Sequence, residues 1–554
     1  MGTCRAVCAI IFCTLETILI SGMIFGWDFV LPLFQKDSIF INKNYCPSGT
    51  SKGVAYNAPV AVPNSNSTSA TSNSAYLQFY GVEYFCQREA EEYDLVYMLS
   101  LFMPYVLILV IGVLYDYLGT RIIRIVAIIL FIAGCMLISY TTSDTDVLLF
   151  IGMPFISAGG GLILLTNLQI CNWFFPQRSM VISWFIGCFC SSCGMFLLIN
   201  TLECSFTEIT TRYLFWGLAV LAIIPIITTL AILPLHHITE GQGSLEQFGS
   251  SDTHIRMNSK KIYRQSRLEG LTMDPDDSGD LDERRSSAAV SIVIDKDTYC
   301  KVSCNATYII HVFWFAVMQL QYWWMYSRSR EEIYGIDEKK NPTAVFLTYR
   351  YELFHYAPIA MIPVPLIFVG VIMDARRYAI GKSYPDSETI HVRAALIPVI
   401  LVTIIAVTLA CFVFAPWPEV KYALDALIIL HKPLVLATSA CFIFQVFPEE
   451  FFGRLVGVAM MVGGVFGVNY YTLDILHETV VSKESIHWIN VGIAILVGFS
   501  IAHPIHLIAR GKQLERETER RTMNVIWATD NVTYQTMESM KNNGSKNNWK
   551  STEL

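Results

Sequence analysis

Long apolar runs alternate with short polar stretches along almost the whole chain. A helix needs roughly 20 such residues to cross a bilayer core of about 30 Å. Runs of that kind lie at 8–33, 95–115, 122–140, 147–171, 180–201, 212–234, 307–326, 345–373, 393–415, 422–446, 455–476 and 487–508. They predict an all-α membrane protein with twelve transmembrane helices, numbered here as spans one to twelve. Eleven remains an open count, because the run at 422–446 holds Asp425, His431 and Lys432. The first run is too long for a cleavable signal, whose apolar stretch is about 7–15 residues.

The polar stretches divide the chain. Residues 1–34 carry the N-terminus and span one, and 35–92 form a large loop. Residues 93–234 complete a first six-helix half, and 235–306 are a polar linker of mixed charge. Residues 307–508 form the second half, and 509–554 the tail. Short-loop Lys and Arg set orientation. Arg121 and Arg124 follow span two, Arg178 span four, Arg376, Arg377 and Lys382 span eight, Arg454 span ten, and Arg510 and Lys512 span twelve. All share one face if both termini are cytoplasmic, the orientation expected here; the plasma membrane is the expected location. One loop, 328–342, opposes this with Arg328, Arg330, Lys339 and Lys340, alongside four acidic residues.

The 35–92 loop is then extracellular. Its middle is rich in Asn, Ser and Pro and contains the sequon Asn66-Ser67-Thr68, an expected glycan site. Cys46 and Cys86 are the two cysteines clearly outside, and a disulfide between them suits an oxidising compartment. The sequons at Asn305, Asn531 and Asn543 fall on the cytoplasmic side and should stay unmodified. Arg284-Arg285-Ser286-Ser287 in the linker has the form of a basophilic kinase site, with Ser287 the acceptor; the plain alternative is a solvated linker.

Composition agrees with the pattern. Hydrophobic types make up 53% and charged types 15%, against about a quarter charged in soluble proteins. That excludes an ordinary soluble enzyme, a disordered chain and a fibrous repeat. A net charge of −7 argues against nucleic acid as partner. The 15 cysteines sit mostly in apolar runs, and no Cys/His spacing suggests a metal. No phosphate loop, HExxH or nucleophile elbow is present, so neither an enzyme nor a cofactor is expected.

Gly112-Val-Leu-Tyr-Asp116-Tyr-Leu-Gly119-Thr-Arg121 joins spans two and three. It resembles the G-x-x-x-D-x-x-G-x-R loop of the major facilitator superfamily, which implies a latch between two halves. A degenerate copy, Gly370-Val-Ile-Met-Asp374-Ala-Arg376-Arg377, follows span eight at the equivalent place. Such duplication implies two pseudo-symmetric six-helix halves, the major facilitator fold.

The resemblance narrows to the solute carrier 43 family. It is carried by Leu15-Glu16, Gly22 and Phe25-Gly26-Trp27, and by Thr166-Asn167-Leu168-Gln169-Ile170 with Asn172, Phe174 and Arg178-Ser179. Gln319-Leu320 and Phe447-Pro448-Glu449-Glu450-Phe451-Phe452-Gly453-Arg454-Leu455 with Gly457 complete it. Asp28, and Lys432 where the family tends to have Arg, depart from the pattern. The family contains sodium-independent carriers of large neutral amino acids and an equilibrative nucleobase carrier. The resemblance therefore implies facilitated, alternating-access transport of a small neutral solute, leaning to purine nucleobases. A transport-inactive nutrient sensor is the reading from a different class.

In this superfamily the cavity lies between spans one, four, seven and ten. Glu16 is an ionisable group inside a span, and such groups are costly and usually functional. It shares a helical face with Met23 and Trp27. It is expected to meet substrate, a cation or a proton, or else to pair with a basic residue such as Lys432. Asn167 and Gln169 in span four offer amides. Gln319 and Trp323 set a hydrogen-bonding head above an aromatic plane. Lys432 draws an anionic group or neutralises Glu16, and Pro433 should disturb the local backbone. Pro358, Pro363 and Pro365 predict a kinked gating helix in span eight.

Overall fold

The computed structural model describes residues 2–40, 87–174, 177–205, 210–233, 299–334, 344–381, 387–448, 451–479, 485–520 and 523. The regular elements among them are helices. Nine helices are long and apolar enough to cross a membrane, and two bent pairs raise the count to eleven among the described residues. The twelfth is span seven, Ala306–Tyr334. Its 29 residues extend about 43 Å at about 1.5 Å each. Its Gln, Trp and Tyr residues dilute its apolar character, and several of these face the candidate site.

Span two is Gln87–Leu118, span three Thr120–Ser139 and span four Val147–Leu168. Span five runs Arg178–Ser191 and Gly194–Ser205, and span six begins at Thr211–Leu221. Span nine is Ser387–Phe412, span ten Pro418–Val446 and span eleven Phe452–Thr479. Span twelve starts at Ser485–Ser500 and continues helically to 520, so the charged start of the tail extends that span. Arg393 and Glu515 hold that extension against span nine at 2.5 Å.

Two spans are broken. Span one is helical over Gly2–Glu16, widens through Thr17–Ser21, tightens at Met23–Gly26 and resumes at Trp27–Lys36, with a bend of 47°. Gly22 at the break lies against the Phe189 backbone, where no side chain fits. Span eight bends by 64° between its segments Tyr349–Ala360 and Pro363–Gly381, at the prolines that predict a kink. Pro433, by contrast, is carried within one continuous helix. Span ten is nonetheless secure: its fully buried Asp425 accepts two bonds from Arg350 of span eight, at 2.6 and 3.1 Å. This pair neutralises the charge that makes the run look doubtful as a span.

The two halves meet along spans two and eleven and along spans five and eight. Glycines permit the approach. A Cβ on Gly370 would lie 2.8 Å from Met180 Cα, and Gly112 and Gly453 lie backbone against backbone.

Candidate functional site

Between the halves lies a cavity with about 630 Å³ of atom-free space, its solvent-open part included. Span one supplies Phe25 and Asp28, span five Cys190 and Cys193, and span seven Tyr322, Trp323 and Tyr326. Span eight adds His355, and span ten Lys432. The break in span one turns Phe25 to the cavity, because the backbone there leaves the regular helical path.

Lys432 Nζ lies 2.8 Å from the Phe25 ring centroid, 5.3 Å from Trp323 and 5.5 Å from Tyr322. Aromatic faces are negative and attract a cation. Nζ has no ion-pair or hydrogen-bond partner among the described residues. The rings support one another, with Tyr322 and Trp323 centroids 5.0 Å apart and Trp323 and Tyr326 5.9 Å apart.

Both ends of the cavity are bridged between the halves. At the latch end, Asp116 of span two accepts the backbone N–H of Gly453 at 2.9 Å and of Arg454 at 3.0 Å, and Arg454 Nε at 3.0 Å. The second copy repeats this: Asp374 of span eight accepts from the backbone of Ser179 at 3.3 Å and Met180 at 3.0 Å. Each carboxylate thus satisfies free N–H groups in the first turn of a helix in the other half, where the helix dipole favours negative charge. At the far end, Arg330 of span seven lies 2.8 Å from Asp28, and His355 Nε2 lies 3.5 Å from it. Arg330 also faces Asp94 at 3.6 Å.

Of the expected binding residues, Trp323 and Lys432 line the cavity. Glu16 does not. It is fully buried and pairs with Arg124 rather than Lys432. Arg124, expected at a loop boundary, is itself fully buried in span three. It donates to Thr229 at 2.9 Å, Thr166 at 3.1 Å and Asn167. The Asn167 amide then donates to Thr17 at 3.1 Å. This network ties spans one, three, four and six. Gln169 accepts from Thr120, Met23 is buried, and Gln319 is buried beside Gly463.

In the latch, Gly119 has φ 83°, the left-handed region glycine tolerates, and turns the chain into span three. Arg121 donates to the Leu233 carbonyl at 2.9 Å at the end of span six, so it secures its own half. Beside Asp374, Arg377 is buried and Arg376 half-buried. Cys46, Cys86, Asn66 and Ser287 lie outside the described residues.

The sequence reading missed the Arg124 network, the Arg350–Asp425 pair and the far-end bridge. A signal existed for the last. Arg328 and Arg330, which oppose the charge rule as a loop, belong to the end of span seven, where Arg328 meets Asp474 at 3.2 Å and Arg330 meets Asp28.

Comparison with known proteins fits this geometry. The equilibrative nucleobase transporter 1 of Bos taurus is 22% identical over 501 residues, covering 88% of this chain and 93% of that protein. The large neutral amino acids transporter small subunit 3 of Homo sapiens is 23% identical over 181 residues, 32% of this chain and 28% of that one. These relatives match the solute carrier 43 resemblance. Among solved structures, the outward-facing bacterial homologue of the iron transporter ferroportin aligns with a TM-score of 0.50 at 10% identity, covering 90% of this chain and 99% of that one. The family model described as Major Facilitator Superfamily matches residues 88–469. The chain is an integral membrane transporter and belongs to the major facilitator superfamily.

Proposed function

We propose that the chain carries a small planar organic solute, with purine nucleobases first, by facilitated alternating access and without sodium. One observation carries this reading: a cavity between the halves is walled by Phe25, Tyr322, Trp323 and Tyr326 around Lys432, a cation without an ion-pair partner among the described residues. Aromatic walls stack on a flat ring, and the cation offers it hydrogen bonds. The nucleobase relative, which aligns over most of both chains, supports the same class. Opposed bridges at Asp116 and Asp374 on one end and Asp28 on the other suit a cycle in which one set opens while the other holds. With both termini cytoplasmic, the latch end faces the cytoplasm and the Asp28 end faces outside at the plasma membrane.

Transport of a large neutral amino acid is the second reading. Lys432 would take the α-carboxylate, and the rings the side chain. Uptake of radiolabelled hypoxanthine, adenine and leucine into cells expressing the chain separates the two. Saturable purine uptake that persists without sodium is expected. Leucine uptake alone favours the second reading, and uptake of none removes both.

A further inference from the structure

The cavity holds an ammonium whose hydrogen-bonding capacity the protein leaves unused. Lys432 Nζ carries three N–H donors. It lies against ring faces and near the Cys190 and Cys193 thiols, and Lys432 finds no carboxylate or carbonyl partner among the described residues. The other charges of the cavity cannot neutralise it: Asp28 is taken by Arg330 and His355, and Glu16 by Arg124 outside the cavity. A charge kept inside a membrane span without a partner is costly. The substrate is then the group that completes it.

We infer, building on the nucleobase reading, that Lys432 selects 6-oxopurines over 6-aminopurines. On hypoxanthine or guanine, O6 and N7 lie side by side as two acceptors, the edge that a lysine or arginine recognises in guanine. On adenine the 6-position is an N–H₂ donor beside N7, so an ammonium meets another donor. Phe25 and Trp323, whose centroids are 6.5 Å apart and whose planes are tilted by 36°, both flank Nζ, so a flat ring that meets the ammonium with its O6/N7 edge lies beside aromatic surface. The same edge rule covers an enolate or deprotonated oxopurine, which adds charge attraction to the same two acceptors. Among the described lining residues Lys432 is the one lysine or arginine, and Arg330, outside the lining, is engaged by Asp28 and Asp94.

The test is uptake competition against labelled hypoxanthine, with unlabelled hypoxanthine, purine and adenine, in the native chain and in Lys432→Gln and Lys432→Arg. A good pair of contacts to this edge discriminates by roughly fivefold to a hundredfold. The native chain is expected to rank hypoxanthine above unsubstituted purine above adenine, with at least about fivefold between the extremes. Lys432→Gln should lose at least about fivefold more hypoxanthine uptake than adenine uptake, normalised to surface protein. Lys432→Arg should keep the ranking. If the glutamine variant fails to reach the surface, the ranking in the native chain still decides. Purine uptake with adenine equal to or above hypoxanthine overturns the inference and leaves the nucleobase reading standing. A ranking unchanged in Lys432→Gln does the same. Absence of all purine uptake overturns the nucleobase reading itself, and the inference with it.

Discussion

Replacing Asp28 with Asn removes one negative charge from the bridge that closes the far end of the cavity. The Asp28 side chain is 8% exposed and that of Arg330 is 20% exposed, and their atoms lie 2.8 Å apart across the two halves. A fully buried pair loses about 3–5 kcal/mol when one partner goes. An exposed pair contributes about 0–1 kcal/mol. The partial burial here sets the loss at about 2 kcal/mol, or about thirtyfold in the ratio of closed to open far ends. Arg330 keeps Asp94 at 3.6 Å, which holds the shift below that ceiling. Cys193 lines the cavity, so its modification by a membrane-impermeant maleimide, read by mass spectrometry, reports opening. Asp28→Asn should speed labelling by about tenfold from the outside, and excess substrate should slow it. Labelling that is unchanged or slower would refute the reasoning that Asp28 closes this end.

Glu16→Gln and Arg124→Gln each leave a buried charge alone, so each should destabilise the protein by about 3 kcal/mol, seen as a lower Tm in detergent, and the double variant should recover part of the loss. Full stability in Glu16→Gln would mean the network is not structural. Gly112→Val places a side chain against the Gly453 backbone and should abolish transport while surface expression is retained; normal uptake would contradict the close approach. Asp374→Asn weakens two charge-assisted bonds to the start of span five, by about 1–2 kcal/mol, and should raise thiol labelling of the cavity from the latch side. Equal labelling before and after the change would count against a second latch.

The fold was largely legible because the bilayer imposes a length rule that composition alone reveals. Where charges interrupt a run, as at Asp425 and Lys432, the rule weakens, and only the three-dimensional partner or cavity explains them. The two bridging carboxylates were also legible, since the motif spacing puts Asp116 and Asp374 at helix ends. The site was half legible. Lys432 and Trp323 stand out as a charge and a large ring inside spans. Glu16 stands out for the same reason yet serves packing, because its partner Arg124 lies 108 positions away and reads locally as a loop residue. Phe25 reaches the cavity through a helix break that a regular helical wheel does not contain. Long-range pairing and broken backbone are the two things that periodicity does not encode.

Counterflow in proteoliposomes tests the central claim most directly. The purified chain is reconstituted into vesicles loaded with unlabelled hypoxanthine and diluted into a trace of labelled hypoxanthine, with no sodium and no ion gradient. The account predicts transient accumulation of label, driven by exchange alone and suppressed in Gly112→Val. No accumulation above protein-free vesicles, or accumulation that depends on an imposed sodium gradient, would contradict it.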